Sequence, residues 1–212
     1  MEQSRRHPDA PRQGDGDILS RAGVAALFFI LVQWGAGAAQ AQVARPEIAF
    51  SVSLEGEFIL VEAHVDLPVA PSMAWAVLTD YEGYPRFITG MRESRVVSRV
   101  PEGVVVEQKG SFGVLFFSQP IEVRALITEY PNNLIVSRTN GGSFRDSLGR
   151  YELLPLDGGV RVNYTGRLLP EFSLPPLIGM GIVHYTLQRN FTEVVDEILR
   201  RDALARQPAK LE

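Results

Sequence analysis

The sequence predicts an α+β domain: an antiparallel sheet of about seven strands, two short helices after the first strand, and one long C-terminal helix. Three observations carry this. Residues 57–67 alternate apolar and polar side chains and stop at a proline. From Ser94 to Leu168, short alternating runs are separated by Gly, Asn and Pro turns, with no helical period between them. Beyond Gly181 the apolar spacing changes to threes and fours and stays there to about Ala205. Strands in series followed by a terminal helix imply an antiparallel meander packed on that helix.

The elements follow in order. Residues 42–56 read as a lead-in ahead of the domain, which spans 57–205 and leaves a tail at 206–212. In the first strand, Glu57–Leu67, the residues Ile59, Val61, Ala63, Val65 and Leu67 share one face, opposite Glu62, His64 and Asp66. A period of two with one apolar face describes a sheet covered on one side. Pro68 and Pro71 end the strand, and Pro71 with Ser72 opens a short helix over Met73–Thr79. Gly83 and Pro85 break the chain before a second short turn at Arg86–Met91. Strands are then expected at Ser94–Val100, Val104–Phe112, Ile121–Thr128, Leu134–Arg138, Phe144–Leu154 and Val160–Leu168. The turns between them are built on Pro101-Glu102-Gly103, Tyr130-Pro131-Asn132-Asn133, Asn140-Gly141-Gly142 and Asp157-Gly158-Gly159. On the last helix His184, Leu187, Phe191, Val194, Val195 and Ile198 form an apolar stripe, with Arg189, Glu193, Glu197 and Arg200 opposite.

The first 41 residues read as a targeting segment. Arg5, Arg6, Arg12 and Arg21 precede the apolar run Ala22–Trp34, and Ala39-Gln40-Ala41 is an A-x-A cleavage site. His7-Pro8-Asp9 follows the Arg5-Arg6 pair, where a twin-arginine signal has apolar residues, so general secretion is expected. The domain is therefore expected outside the cytoplasm, in a bacterial periplasm; the alternative is an uncleaved anchor formed by residues 22–39. There are no cysteines, which leaves a domain held by its core without disulfides. The net charge is −4 and no basic run exceeds Arg200-Arg201, which argues against a nucleic-acid partner.

Val69-Ala70-Pro71-Ser72, followed by Trp75-Ala76-Val77-Leu78-Thr79-Asp80-Tyr81, resembles the opening of the START-like (SRPBCC) superfamily. The most similar branch is the polyketide cyclase/dehydrase and coenzyme Q-binding Coq10-like group. Gly142-Ser143-Phe144, Gly149-Arg150-Tyr151-Glu152-Leu153 and Pro170-x-Phe172-x-x-Pro175 add to the resemblance, which covers residues 57–204. It implies the helix-grip fold, in which a curved antiparallel sheet wraps around the C-terminal helix. It also implies an apolar cavity between the two for a hydrophobic small molecule. It is specific for the fold and not for one function, because the superfamily hosts carriers, cyclases and hydrolases alike.

Six residues are candidates to line that cavity. His184, on the helix stripe, reads as a polar contact or proton donor for a buried ligand, or as a core histidine bonded to a backbone carbonyl. Tyr151 and Tyr164, on late strands, read as ligand hydrogen-bonding groups or as core aromatics. Arg138, in phase with Leu134 and Val136, reads as an inward partner for an anionic group or as a solvated residue near a strand end. Phe116, within Leu115-Phe116-Phe117, and Phe172, opening the run Phe172–Ile182, read as a gate or membrane-touching lip or as ordinary packing at the mouth of the sheet.

No catalytic set emerges. There is no H-x-x-H, H-E-x-x-H, G-x-S-x-G or phosphate loop, so no metal or cofactor is expected. The leading expectation is an exported binding protein for a quinone, lipid or polyketide-like molecule, with contact to a membrane surface. The alternatives are a cyclase/dehydrase working through His184, Tyr164 and Arg138, and an envelope accessory protein with a filled interior and no ligand.

Overall fold

The structure, a computed structural model, describes residues 45–114 and 117–207. Eight strands form one antiparallel sheet: β1 (Ile48–Glu55), β2 (Phe58–Leu67), β3 (Met91–Val100), β4 (Gly103–Val114), β5 (Phe117–Tyr130), β6 (Leu134–Gly141), β7 (Phe144–Leu156) and β8 (Gly159–Pro170). Between β2 and β3 lie helix α1 (Pro71–Leu78) and a 3-10 helix, Tyr81–Arg86; α2 (Gly179–Arg206) closes the domain. The sheet order is β1-β2-β8-β7-β6-β5-β4-β3. β3 to β8 follow one another as a meander. The segment carrying α1 spans from β2 near one edge to β3 at the other. With α2 lying against both β1 and β4, this is the helix-grip arrangement.

Two sequence expectations change. Residues 48–55, assigned to the lead-in, form edge strand β1, so the sheet has eight strands and the short helices follow the second of them. The cause is visible in the residues: Ile48, Phe50 and Val52 alternate with Ala49, Ser51 and Ser53, and they pair with Val65, Ala63 and Val61 of β2 through a tight turn at Gly56. The second short helix occupies Tyr81–Arg86 rather than Arg86–Met91. Gly83 and Phe87 donate backbone bonds to Asp80 and Tyr84, a pattern that needs no N–H from Pro85. The expected targeting segment, 1–41, and most of the tail lie outside the described residues; among those described, no helix is long and apolar enough to cross a membrane.

The core fills one end of the grip. Val65, Leu67, Leu78, Val106, Leu153, Val160, Val162, Val195 and Ile198 are all nearly inaccessible, joining α1, the C-terminal half of α2 and the middle of the sheet. A smaller cluster of Ile59, Val61 and Val183, flanked by Phe112, Leu174 and Leu187, sits under the first turns of α2. Glu197 is 7% exposed on α2, where Arg200 (2.6 Å) and Arg201 (2.7 Å) both donate to it. Arg201 also donates to Asp80 at 2.7 Å, which ties α2 to the end of α1.

Candidate functional site

Between the two clusters the sheet and helices leave space. One chamber, about 230 Å³, lies under α1 and the 3-10 helix against β4 to β8. Its floor follows from strand alternation: Val123, Ala125 and Ile127 of β5, Ile135, Ser137 and Thr139 of β6, and Ser147, Gly149 and Tyr151 of β7 all face inward. A bulge between Phe144 and Asp146 returns Phe144 to the same face. Not one wall residue carries a formal charge. A second chamber, about 280 Å³, lies under the loop Ile88–Met91 and reaches α2 at Thr186, Leu187 and Asn190. Its single charged wall residue, Lys109, is paired with Glu122 at 3.6 Å. Gln108, Val123, Phe144, Tyr164 and Leu168 line both chambers. Gln108 is held by a hydrogen bond from its amide to Ser94 (3.2 Å).

Four tyrosines share the polar part of the first chamber with Gln108, Ser137, Thr139 and Ser147. Tyr151 and Tyr164 are register partners on β7 and β8, with ring centroids 4.6 Å apart, and both rings lie near Phe191 of α2. The Tyr164 ring lies along its own strand: a Cβ on Gly166 would fall 2.8 Å from its hydroxyl, and one on Gly149 would fall 3.6 Å away. The paired glycines Gly149 and Gly166 are therefore the recess that holds the ring. Tyr81 donates to Glu129 (2.7 Å) and Tyr84 to the Leu78 carbonyl (2.7 Å). The Tyr151 and Tyr164 hydroxyls make no such bond among the described residues and face the chamber. Burial pushes the Tyr164 hydroxyl up to about 12 and raises Tyr151 well above the usual phenol value. Both remain protonated donors throughout the neutral range.

The six candidates separate in space. Tyr151 and Tyr164 sit together in the chamber walls. Phe172 packs against Phe112 and Phe144, each 6.2 Å away, and so backs two residues that line the second chamber. His184 is not in either wall: its ring meets Phe50 of β1 edge-on at 5.3 Å, on the flank of α2 toward the sheet edge. Arg138 does not point inward. It is exposed on the outer face of β6, beside Leu126, Arg145 and Arg167, because Ile135, Ser137 and Thr139 take the concave side. Phe116 lies outside the described residues.

Sequence reasoning missed Gln108, Thr186 and Asn190. For the helix pair a signal was present. Ile182/Val183, Thr186/Leu187, Asn190/Phe191 and Val194/Val195 recur every four residues, so the inward stripe passes through Thr186 and Asn190 and leaves His184 at its margin. Polar side chains within that stripe mark the place where the helix faces the chamber rather than solid core.

The comparisons with known proteins agree with this architecture. Residues 67–196 match the family described as polyketide cyclase/dehydrase and lipid transport, and the chain belongs to that family. No curated protein matches the sequence. Among solved structures, the chain resembles the Zhui aromatase/cyclase of a Streptomyces species, with 14% identity, a TM-score of 0.59, and coverage of 72% of this chain and 98% of that one. It is also similar to a STAR-related lipid transfer protein fragment from Xanthomonas axonopodis (16% identity, TM-score 0.57, coverage 71% and 93%). A START superfamily protein from Mycobacterium smegmatis has the same fold (14%, 0.55, coverage 66% and 97%). At these identities the likeness establishes the fold.

Proposed function

We propose that the protein is an exported carrier that holds an uncharged hydrophobic molecule, of quinone, lipid or polyketide type, in the two chambers between the sheet and α2. The observation that carries this reading is the wall chemistry: adjoining cavities whose walls mix apolar side chains with neutral hydrogen-bonding groups and carry no free charge. Such a lining suits a ligand that is mostly apolar with one or two oxygens. A filled interior would leave no such space, which weighs against the accessory-protein reading.

A cyclase or dehydrase fits less well. General acid–base work near neutrality needs a group that titrates there. The chamber tyrosines are held far above it, and His184 and Arg138 lie outside the walls. Quinone-type ligands of the coenzyme Q-binding branch remain within the proposal. Export rests on residues 1–41, with general secretion and release into the periplasm as the expected route.

Membrane contact is part of the same proposal. Gly113 and Val114 at the end of β4 stand beside Ile178, Gly181, Ile182 and Tyr185, across an open apolar cleft. Leu177 is fully exposed, and Ile178 and Tyr185 are about half exposed. An apolar lip of this kind supports transient contact with a bilayer from which a ligand is taken up.

Solvent extraction and native mass spectrometry of protein purified from its own host test the binding reading: a co-purified apolar, uncharged molecule is expected. An empty protein whose melting temperature ignores quinones and lipids would overturn it.

A further inference from the structure

Three side-chain atoms among the described residues are buried without a hydrogen-bond partner, and all three lie on one stretch of α2: Thr186 Oγ1, Arg189 Nε and Asn190 Oδ1. Arg189 is explained locally. Its guanidinium donates to the Thr89 carbonyl (3.3 Å) and lies 3.9 Å from Glu193, and it lines the outer cleft rather than a chamber. Thr186 and Asn190 have no such account. They are one helical turn apart on the same face, and both line the second chamber.

Thr186 is the more telling of the two. A helical threonine usually spends its hydroxyl on the carbonyl four residues back. Thr192 does so with Gln188 (2.9 Å), and Thr79 does so with Trp75 at the end of α1 (2.8 Å). Thr186 does not, although it is only 2% exposed. A buried hydroxyl left unmade is costly and is retained where something supplies the missing partner. Beside it, the Asn190 amide offers both a donor and an acceptor. With no free charge in the wall, the partner that fits is a neutral oxygen; a carboxylate or phosphate would enter with no counter-charge.

Resting on the binding reading above, we propose that Thr186 and Asn190 form a polar clamp that orients an uncharged oxygen of the bound molecule against α2: the Thr186 hydroxyl donates to a carbonyl or hydroxyl, and the Asn190 amide oxygen accepts from a hydroxyl. The remainder of the ligand lies on the Phe144, Tyr164 and Leu168 wall.

The test pairs 2-methyl-1,4-naphthoquinone, an acceptor, and 2-methyl-1-naphthol, a donor, with 2-methylnaphthalene, which has the same rings and no oxygen, and with palmitate as an anionic probe. Affinities are measured by calorimetry on the full chain and on Thr186→Val, Thr186→Ser and Asn190→Leu. The quinone is expected to bind more tightly than the hydrocarbon, and palmitate least. Thr186→Val should weaken the quinone about three- to tenfold, the size of one neutral hydrogen bond, and Asn190→Leu should weaken the naphthol by the same factor; both should leave the hydrocarbon unchanged. Thr186→Ser, which keeps the hydroxyl, should retain quinone affinity. Equal losses for quinone and hydrocarbon, no loss for either, or a Thr186→Ser loss as large as that of Thr186→Val would overturn the clamp while leaving the binding reading in place. Failure of the wild-type protein to bind any of the four removes both.

Discussion

In the C-terminal half of α2, Phe191, Val194, Val195 and Ile198 are at most 5% exposed and enter the main core, while Glu197 is held by two arginines. In the N-terminal half, the same face of the same helix presents Thr186 and Asn190 to a chamber, and Tyr185 stands out in solvent. One half is packed and polar-satisfied; the other leaves space and unspent hydrogen-bonding groups. The difference shows how this grip divides its labour: a solid end fixes α2 against the sheet, so that the open end can keep a cavity without collapsing onto it. A void is tolerated only where neighbouring packing holds its walls apart.

The largest expected effect lies in the solid half. Ile198→Ala removes a fully buried side chain and should destabilise the protein by about 2–5 kcal/mol, read by urea denaturation. If the change is below roughly 1 kcal/mol, in the range of a surface substitution, α2 is not anchored as described. Next is Glu197→Gln, which leaves the Arg200 and Arg201 guanidiniums without their shared anion; about 2 kcal/mol is expected, since Arg201 keeps Asp80. The same pair predicts a pH dependence. Its arginines hold the Glu197 carboxyl down to about 2 from an ordinary 4.5. A depressed carboxylate stabilises the fold above the unfolded value, and that contribution fades as pH falls from about 4.5 toward 2. The Glu197→Gln variant should lose this part of the acid transition; an acid profile unchanged by the substitution would contradict the network.

Substitutions in the open half should barely touch stability. Tyr164→Phe keeps the ring over Gly149 and Gly166 and removes only a hydroxyl that faces the chamber. Ligand affinity should fall about three- to tenfold while the denaturation midpoint moves little. A large loss of stability would show that the hydroxyl is structural. The smallest effect on folding is expected for Tyr185→Ser, within about 0.5 kcal/mol because the side chain is half exposed. Co-sedimentation with lipid vesicles should weaken in that variant, and retention at the wild-type level would remove Tyr185 from any membrane-contacting lip.

Much of this contrast could be read in the residues. The alternation of β2, β5, β7 and β8 identified their inward faces, and with them Tyr151 and Tyr164. The same alternation in Ile48–Leu54 could have revealed β1, but next to a polar, proline-containing stretch it passed for a lead-in. The sequence leaves Arg138 open between the inward and the solvated reading because both faces of β6 look apolar: Leu134 and Val136 alternate with Ile135 on the other side. The sheet's pairing, not the strand itself, selects the face. His184 is a candidate because it falls on the apolar stripe of α2, whereas the four-residue repeat that runs through Thr186 and Asn190 is the better guide to which face turns inward.

Local sequence pattern determined the order of elements from β2 onward, the faces of the strongly alternating strands and the family, because periodicity and turn residues act over a few neighbours and need no distant partner. Which faces enclose a cavity, rather than a packed core, depends on residues far apart in the chain. Tyr151 and Tyr164 meet Phe191, Gln108 and Phe144 come to one chamber wall, and Thr186 is left without a partner among the described residues only once the sheet has curled around α2. An unsatisfied hydroxyl is a property of the assembled surroundings, and no single segment of the chain contains it.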